Sequence, residues 1–417
     1  MRQVIRATLA TAVLMTAMGA QAEIKTIHDV LGRDVKVDVP AKRVVLGFYY
    51  PDYIAATGAE NFGHVVGISR EFWESFNPGS WQLYSQKLPS LQGIGDIGNI
   101  DRGTFSLEKT LAMKPDVVIL AKWQYDTLKA EMPRFEASNI PVVVVDYNDQ
   151  SITNHTNSTK IFGQIAGTEE RANQAAQEYA DGIADIQKRV QAAGSAKPKI
   201  YIEFGDKGPK EHSFTFGKNM WGAIADTVGG DNISKPFVEN WGPINPEQLL
   251  VSKPDVIIIS GTEVGMKQTD AMAMGIDISA DEAQRRLKGF TTRNGWASLP
   301  AVKNNRVYGI YHTASRSLSD LASAQFMAKA LYPKVFTDID PEKTYMDFHE
   351  KYLPVKPNGT FFIQLGCGAS VCKDDVSTTA IAPDSVKATA DSTPTTSAPE
   401  TMSWWDKLGN WLRNLFA

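Results

Sequence analysis

The sequence predicts an α/β protein made of two parallel-sheet lobes that are joined by a single long backbone helix. Three observations lead to this prediction: a helix-strand unit that occurs twice, strands and helices that alternate around each copy, and a long helical segment between the copies. Such alternation favours parallel sheets that are covered by helices on both faces. The 417 residues are enough for two lobes with cores of their own.

The repeated unit occupies residues 108–119 and residues 247–258, and both copies fit the frame Glu-x-x-Leu-x-x-Lys-Pro-Asp-Val-x-Ile. Proline disfavours helical geometry at the residue before it, so each helix should end at the Lys-Pro step. The β-branched run after this step is typical of a strand buried on both faces. Each copy is therefore predicted to be a short helix and then a central strand.

Strands and helices alternate around each copy. The strands predicted in the first half are residues 43–47, 65–68, 117–120 and 142–146. In the second half we predict strands at 199–204, 256–260 and 306–311, and helices at 220–228, 247–251 and 322–331. We expect residues 23–156 to form an amino-terminal lobe and residues 194–366 to form a carboxy-terminal lobe.

Residues 157–193 are predicted to be the helix that connects the lobes. The segment contains no proline, and its apolar residues recur at three- and four-residue spacing: Ala172, Ala176, Tyr179, Ile183, Ile186 and Val190. A helix of roughly 30 residues would be about 45 Å long. Because such a helix is rigid, we expect only small relative motion of the lobes.

Residues 1–22 have the features of a secretory signal peptide: Arg2 and Arg6, an apolar stretch over residues 9–18, and small residues that end at Ala22. We therefore expect export and cleavage near Ala22. The segment ends without the cysteine that would carry a bacterial lipid anchor, which favours the periplasm. Removal of the two arginines changes the formal net charge from −4 to −6, and this argues against nucleic-acid binding.

The carboxyl end differs in composition from the lobes. Residues 367–402 are dominated by Ser, Thr, Ala, Pro and Asp, and we expect a disordered linker. Cys367 and Cys372 are the only cysteines, and in an oxidising compartment they favour a local disulfide over a zinc site. Residues 403–417 are predicted to form an amphipathic helix that contacts a membrane surface, a partner protein or the protein's own lobe.

Five segments together resemble the periplasmic iron-siderophore and cobalamin binding proteins, which are class III substrate-binding proteins of ABC transporters. They are the repeated frame, Lys-Arg-Val-Val at 42–45, Gly-Gln-Ile-Ala-Gly at 163–167, Ala-Val-Lys-Asn-Asn-Arg-Val-Tyr at 301–308 and Leu-Tyr-Pro at 331–333. The resemblance implies a ligand cleft between the lobes. It also implies a monomer without a cofactor that delivers a small-molecule metal chelate to the permease subunits of an ABC importer.

Glu108 and Glu247 open the two repeated helices. An acidic residue in a first helical turn is explained by the helix dipole alone. The resemblance adds that family members place one glutamate of each lobe here and use the pair to engage arginines of the permease. Docking is therefore the predicted role of both residues.

Arg102 and Trp241 each stand six residues before one of these glutamates, at positions that face the ligand in the family. Arg102 replaces an aromatic residue there, which favours an anionic ligand such as a ferric siderophore over a neutral corrinoid. A heme or corrinoid binding protein of the same scaffold is the alternative. Open α/β sheets bind ligands at the carboxyl ends of their strands. This adds further candidates: Tyr49, Tyr50, Arg70, Trp73, Lys122, Trp123, Tyr125, Phe204, Trp221, Glu263, His312 and Arg316.

The six histidines show no spacing that is typical of a metal site. His312 and Tyr311 remain as candidate donors to an iron ion that its chelator leaves partly exposed. The competing class is an enzyme that acts on a metal chelate. The sequence contains no nucleophile elbow, phosphate loop, HExxH pair or dinucleotide fingerprint, so no reaction is predicted.

Overall fold

The computed structural model describes residues 23–367 and divides them into two α/β lobes. The strands of the amino-terminal lobe are β1 (Glu23–His28), β2 (Asp34–Val39), β3 (Val44–Leu46), β4 (Val65–Ile68), β5 (Gly95–Asp96), β6 (Val117–Ala121) and β7 (Val142–Val145). Strands β1 and β2 form an antiparallel hairpin. The other five form a parallel sheet in the order β5-β4-β3-β6-β7.

The helices of this lobe cover the parallel sheet and carry one wall of the cleft described below. They are α1 (Tyr50–Thr57), α2 (Arg70–Phe76), α3 (Pro78–Lys87), α4 (Leu107–Ala112), α5 (Lys122–Thr127), α6 (Met132–Ala137) and α7 (Ile152–Ala166). Helix α8 (Glu169–Ala192) leads to the second lobe.

The carboxy-terminal lobe is built on a mixed sheet. The strands of this sheet are β8 (Lys199–Phe204), β9 (Thr215–Phe216), β10 (Asp231–Asn232), β11 (Trp241–Gly242), β12 (Val256–Gly261), β14 (Val307–Tyr311) and β16 (Phe362–Gln364). Strands β13 (Gly275–Ile276) and β15 (Gly359–Thr360) form a separate antiparallel pair. Strands β8, β12 and β14 form its parallel centre, and β10 adds in parallel to the start of β8. The edges, β9 with β11 and β16, are antiparallel. The predicted parallel core is confirmed, and the antiparallel edges were not predicted.

The helices of the second lobe complete the α/β arrangement. They are α9 (Trp221–Thr227), α10 (Pro246–Ser252), α11 (Ala280–Phe290), α12 (Pro300–Lys303), α13 (Asp320–Leu331) and α14 (Pro341–Tyr352). Every residue of the central strands β6, β12 and β14 is buried, as expected for strands covered on both faces.

The repeated sequence frame folds twice into the same unit, α4 with β6 and α10 with β12. Each lysine of the Lys-Pro-Asp step adopts a left-handed backbone conformation, with φ of 46° at Lys114 and 49° at Lys253. Each aspartate then fastens the neighbouring strand: Asp116 accepts hydrogen bonds from the backbone N–H groups of residues 42 and 43, and Asp255 accepts one from the N–H of Lys199. The frame therefore specifies both the end of the helix and the register of the next strand.

The connecting helix is shorter than predicted, because the segment 157–193 does not form one continuous helix. Gly167 ends α7 in a left-handed conformation with φ of 72°, and α8 begins two residues later. At Gly163 an added Cβ atom would lie 2.4 Å from the Cβ of Ala172, so this glycine permits α8 to pack closely on α7. Helix α7 belongs to the first lobe, and α8, about 36 Å long by its 24 residues, is the connection.

Buried polar contacts hold the lobes against the connecting helix. His155 of α7 and Tyr179 of α8 both contact the carboxylate of Asp320 of α13, at 3.0 Å each. Arg171 of α8 donates to the backbone carbonyl oxygens of Ala55 and Tyr352, which belong to opposite lobes. These contacts fix the lobes next to α8.

The predicted signal peptide, the linker beyond Cys367 and the amphipathic helix lie outside the described residues. Cys367 is disulfide-bonded, and its predicted partner Cys372 lies beyond the described range. Between residues 23 and 367, no helix has the length and apolar character required to cross a membrane.

Candidate ligand-binding cleft

Two cavities lie between the lobes and share Phe48, Phe72 and Arg316 as walls. The first, of about 690 Å³ including its open mouth, is here called the aromatic cavity. The second, of about 810 Å³, is called the hydroxyl cavity. Both volumes include space that is open to solvent.

Rings from both lobes line most of the aromatic cavity. Its lining residues are Phe48, Phe72, Phe76, Asp101, Trp123, Asn148, Phe204, Phe214, Phe216, Met220, Trp241, His312 and Arg316. Phe72 and Phe76 stand one helical turn apart on α2 and stack with ring centroids 5.3 Å apart. The cavity therefore offers flat apolar surfaces, and its lining includes only three ionisable side chains.

Arg316 is the cation of both cavities. Its guanidinium lies 5.7 Å from the ring centroid of Phe48, its Nε has no hydrogen-bond partner, and it makes no ion pair with any residue between 23 and 367. Desolvation lowers the pKa of this guanidinium from its ordinary value. Its backbone φ of 59° is unfavourable for a side chain of this size, and such strain is commonly found at functional sites. An unpaired desolvated cation is a strong anion-binding group.

Asp101 faces the same cavity from the amino-terminal lobe. Its Oδ1 atom is buried and has no hydrogen-bond partner among the described residues. Burial raises the pKa of its carboxyl to about 7, although the charges of Arg316 and Arg102 oppose this rise. The fraction of Asp101 that carries a negative charge near Arg316 therefore changes with pH around neutrality.

His312 is fixed in one tautomer by its hydrogen bonds. Its Nδ1 accepts from the indole Nε1–H of Trp221 at 3.1 Å and lies 3.2 Å from the hydroxyl of Ser260. An indole N–H can only donate, so the hydrogen of the neutral ring must be on Nε2. Burial lowers the pKa of the imidazole well below its usual value, and the charge of Arg316 adds to this effect. His312 is therefore a neutral hydrogen-bond donor in the wall of the aromatic cavity.

The hydroxyl cavity has a different lining. Tyrosine, serine and threonine side chains give it many hydroxyl groups beside a few apolar side chains. Its lining residues are Phe48, Tyr49, Tyr50, Pro51, Asp52, Phe72, Trp73, Asn77, Ser80, Leu83, Tyr84, Ile276, Tyr311, Thr313, Ser315, Arg316, Ser317, Ser319, Tyr345, Phe348, His349 and Leu353. Asp52 of α1 accepts hydrogen bonds from the hydroxyl of Ser317 and the N–H of Leu318. These bonds cross from one lobe to the other and hold the loop that carries Arg316.

The structure brings eight of the sequence-predicted ligand residues to the two cavities. Trp123, Phe204, Trp241 and His312 line the aromatic cavity, and Tyr49, Tyr50 and Trp73 line the hydroxyl cavity. Arg316 lines both.

Four other predicted ligand residues lie in neither lining. Arg102 forms an ion pair with Glu71 at 2.8 Å, Arg70 pairs with Glu74, and Lys122 pairs with Asp126. Tyr125 accepts a hydrogen bond from Arg33, whose guanidinium lies over its ring. In each case a nearby side chain of the protein binds the group that we expected to bind the ligand. The position of each residue after a strand did not reveal this partner.

The remaining predicted residues support the cavity walls. Trp221 is fully buried behind His312. Glu263 accepts hydrogen bonds from the hydroxyl of Tyr311 and the N–H of Ile276. Tyr311 faces the hydroxyl cavity while His312, the next residue, faces the aromatic one, so the two candidate iron donors do not converge. Within residues 23–367 no group of three or more His, Cys, Asp or Glu side chains could hold a metal ion.

Glu108 and Glu247 occupy equivalent places in the two lobes. Both side chains are exposed in the first turn of their helices, α4 and α10. A helix that precedes a parallel strand begins at the edge where the strands end, which is the edge of the cleft. The placement agrees with a docking surface beside the cleft, and docking itself stays a prediction.

Several lining residues were not predicted, among them Asp101, Asn148 and Met220. Phe214 directly precedes β9 and Phe216 ends it, and this two-residue spacing is that of side chains on one side of an extended chain. Phe72 and Phe76 have the four-residue spacing of one helix face. These two periodicities were available in the sequence, whereas Asp101 had no local signal.

Fold and cleft together define a two-lobe binding protein. The family model described as periplasmic binding protein matches residues 79–313. The TroA-like periplasmic binding protein FepB of Veillonella parvula is 32% identical, and the match covers 82% of this chain and 100% of that one with a TM-score of 0.78. The chain belongs to the periplasmic binding protein family, as its resemblance predicted.

More distant relatives are similar over most of their length. The uncharacterised ABC transporter substrate-binding lipoprotein YvrC of Bacillus subtilis is 22% identical over 75% of this chain and 87% of its own. The vitamin B12-binding protein of Pectobacterium atrosepticum is 25% identical over 52% of this chain and 73% of its own. The molybdate periplasmic binding protein MolA of Haemophilus influenzae is 18% identical over 80% and 99%, and its TM-score of 0.60 shows the shared fold.

Proposed function

We propose that this protein is the periplasmic substrate-binding component of an ABC importer and that it captures an anionic iron chelate such as a ferric siderophore. The observation that carries the ligand proposal is the guanidinium of Arg316, which no described carboxylate pairs, in an otherwise aromatic cavity. Flat rings bind the rings of a catecholate or the planar groups of a hydroxamate, and the guanidinium binds their negative oxygens.

His312 adds a preference for oxygen. Since its Nε2 carries the hydrogen, this histidine donates to an acceptor on the ligand and has no free lone pair there for a metal. A heme that needed an axial imidazole would require the opposite tautomer. The same fixed donor suits the oxygen shell of a ferric chelate. The iron is thus cargo, held by its chelator rather than by the protein.

Delivery to an importer is supported by the family relationship and by the paired placement of Glu108 and Glu247 on the two lobes. In this mechanism the lobes enclose the chelate, α8 limits their motion, and the two carboxylates present the loaded form to the permease. No bond is made or broken. Incubation of the bound chelate with the protein alone should return it chemically unchanged, and conversion would favour an enzyme instead.

The ligand can be identified by native mass spectrometry of the protein purified from its own periplasm. We expect a non-covalent ferric complex that carries negative charge and is released on unfolding. Recovery of heme or of a corrinoid would replace the siderophore proposal with the alternative ligand class. A metal-free ligand would remove the iron proposal altogether.

A further inference from the structure

The hydroxyl cavity has features of a binding site in its own right, and the role inferred for it rests on the proposed function. It lies between α1, α2 and α3 of one lobe and the loop 313–319 with α14 of the other. Its lining is richer in hydroxyl groups than that of the aromatic cavity, and the two cavities share Phe48, Phe72 and Arg316 as walls. Two such spaces joined by shared walls suit a ligand with two chemically distinct parts.

Several donors in this cavity lack partners among the described residues. Tyr84 is only 2% exposed, and its buried hydroxyl makes no hydrogen bond to any described residue. The hydroxyl of Tyr345 and the Nδ2 of Asn77 make no hydrogen bond to any described residue, while Asn77 Oδ1 accepts from Thr313 across the lobes. A hydroxyl buried like that of Tyr84 is costly unless a ligand or water satisfies it.

Acceptors complement these donors. Asp52 uses Oδ1 for both bonds to the loop and leaves Oδ2 without a protein partner among the described residues. His349 lies 3.3 Å from the carbonyl oxygen of Val355 through Nδ1, so Nδ1 carries the hydrogen and Nε2 keeps a lone pair. An amide group, with one donor and one acceptor, matches this arrangement.

Polarity assigns the two parts of the ligand to the two cavities. Arg316 attracts an anionic group to the wall that the cavities share, and each cavity also contains one aspartate, Asp101 or Asp52, whose carboxyl pKa burial raises to about 7. The aromatic cavity offers mainly rings, whereas the hydroxyl cavity offers hydroxyl groups to an uncharged polar chain. Rings of Tyr345 and Phe348 provide flat surfaces for an uncharged chain.

We infer that the hydroxyl cavity binds the neutral, amide- or hydroxyl-bearing backbone of the ligand, while the anionic iron-binding rings occupy the aromatic cavity. The ligand class is thereby narrowed from any anionic iron complex to a chelator whose rings are carried on a polar backbone. A compact metal oxoanion would leave the hydroxyl cavity unfilled.

Two probes test this inference. One is the iron(III) complex of dihydroxybenzoate, in which three separate rings surround the metal. The other is the iron(III) complex of a linear trimer of dihydroxybenzoylserine, which carries the same rings on an amide and ester backbone. We expect the wild-type protein to bind the trimer complex at least tenfold more tightly, since its backbone adds hydrogen bonds in the hydroxyl cavity. Binding is measured by quenching of tryptophan fluorescence.

The variant Tyr84→Phe, Tyr345→Phe keeps both rings and removes both hydroxyls. It should weaken the trimer complex roughly five- to fiftyfold, leave the separate-ring complex within about twofold, and not lower the Tm. Tyr201→Phe is the control, because its buried hydroxyl donates to Glu203 away from both cavities. It should lower the Tm and leave both affinities unchanged.

Equal affinity of the wild type for the two complexes, or an unchanged trimer affinity in the double variant, would overturn this inference and leave the proposed function standing. Failure of both complexes to bind would overturn this inference and would also remove catecholates from the ligands proposed for the protein.

Discussion

The two lobes contain the same helix-strand unit but contribute different chemistry to the cleft. In both, an exposed glutamate begins the helix and a Lys-Pro-Asp step ends it. At the cleft both lobes present rings, but the amino-terminal lobe adds Asp101, whereas the carboxy-terminal lobe adds His312 and Arg316. The repeated frame thus specifies backbone geometry, and the loops after the strands specify what can bind.

The lobes also differ in how they brace these loops. In the first lobe the amide of Gln124 donates to the carbonyl oxygen of Gly47 and accepts from the N–H of Ala121. In the second lobe a buried ion pair holds the loop in place. Arg293 donates to both carboxylate oxygens of Glu203 and also to the carbonyl oxygens of residues 208, 209 and 211. One lobe therefore depends on a neutral amide and the other on charge.

Replacing the exposed glutamate that both lobes share should have the largest effect on function. The double variant Glu108→Lys, Glu247→Lys is expected to reduce ligand uptake by cells to background, because it reverses the charge of both residues proposed to dock on the permease. Ligand affinity of the purified protein should stay unchanged, since neither residue lines a cavity.

The variant Glu136→Lys, Glu350→Lys makes the same charge change at two other exposed positions and should preserve uptake. A fall in affinity of the docking variant would assign the two glutamates to the fold or cleft. Normal uptake would remove their docking role.

Breaking the brace of each lobe comes next. Arg293→Ala should lower the free energy of unfolding by about 3–5 kcal/mol, because it leaves the carboxylate of Glu203 buried and unpaired. Gln124→Leu should cost about 1–3 kcal/mol, because it leaves two backbone groups unsatisfied. Urea denaturation measures both, and a larger loss for the neutral brace would contradict the comparison.

The charged brace should also respond to acid. Burial alone would raise the pKa of Glu203, but hydrogen bonds from His212 and Arg293 lower it to about 2. The stabilisation is therefore fully present above the ordinary carboxyl pKa and is lost as the pH falls toward 2. This part of the acid dependence should be missing in Glu203→Gln.

Removing the cation of the carboxy-terminal lobe should weaken binding directly. For the iron(III) dihydroxybenzoate complex, Arg316→Gln is expected to raise the Kd about 10- to 100-fold, the effect of losing a charge-assisted contact. Arg102→Gln is the matched control, because Arg102 pairs with Glu71 and lines neither cavity. An equal loss in both variants would return Arg102 to the ligand site.

The smallest expected effect is the pH dependence of ligand affinity that Asp101 adds to the effect of Arg316. Because burial raises the pKa of Asp101 to about 7, its negative charge disappears as the pH falls from 8 to 6, and the anionic complex should bind roughly three- to tenfold more tightly at pH 6. Asp101→Asn should bind tightly at both pH values. A pH dependence that survives in this variant would place its origin elsewhere.

Much of the fold was predictable because it depends on local patterns. The central strands agree with the predicted ones to within a residue or two, and so do the three helices predicted in the second lobe, α9, α10 and α13. Helices α11, α12 and α14 were not predicted. The connecting helix was misjudged at Gly167, where a positive φ ended a segment whose apolar spacing and lack of proline favoured continuity. Helix ends depend on single residues and tertiary contact, as the approach of Ala172 to Gly163 shows.

The ligand residues were less predictable. Strand ends were correctly expected to reach the cleft, and Trp123, Phe204 and His312 do so. Proximity to a strand end did not distinguish Arg316, which no carboxylate within residues 23–367 pairs, from Lys122, which a carboxylate one helical turn away neutralises. Which cation is available depends on neighbours that the sequence order does not reveal.

By itself the sequence determined the two-lobe α/β fold, the duplicated unit with its two exposed glutamates, and the family. Each derives from short-range rules of periodicity, proline geometry and motif order. Only the tertiary structure decided that the cleft contains two cavities, that His312 is a fixed donor and that Arg316 has no ion-pair partner in the described lobes. These features depend on side chains from distant segments meeting between the lobes, and hydrogen bonding and desolvation are settled only at such contacts.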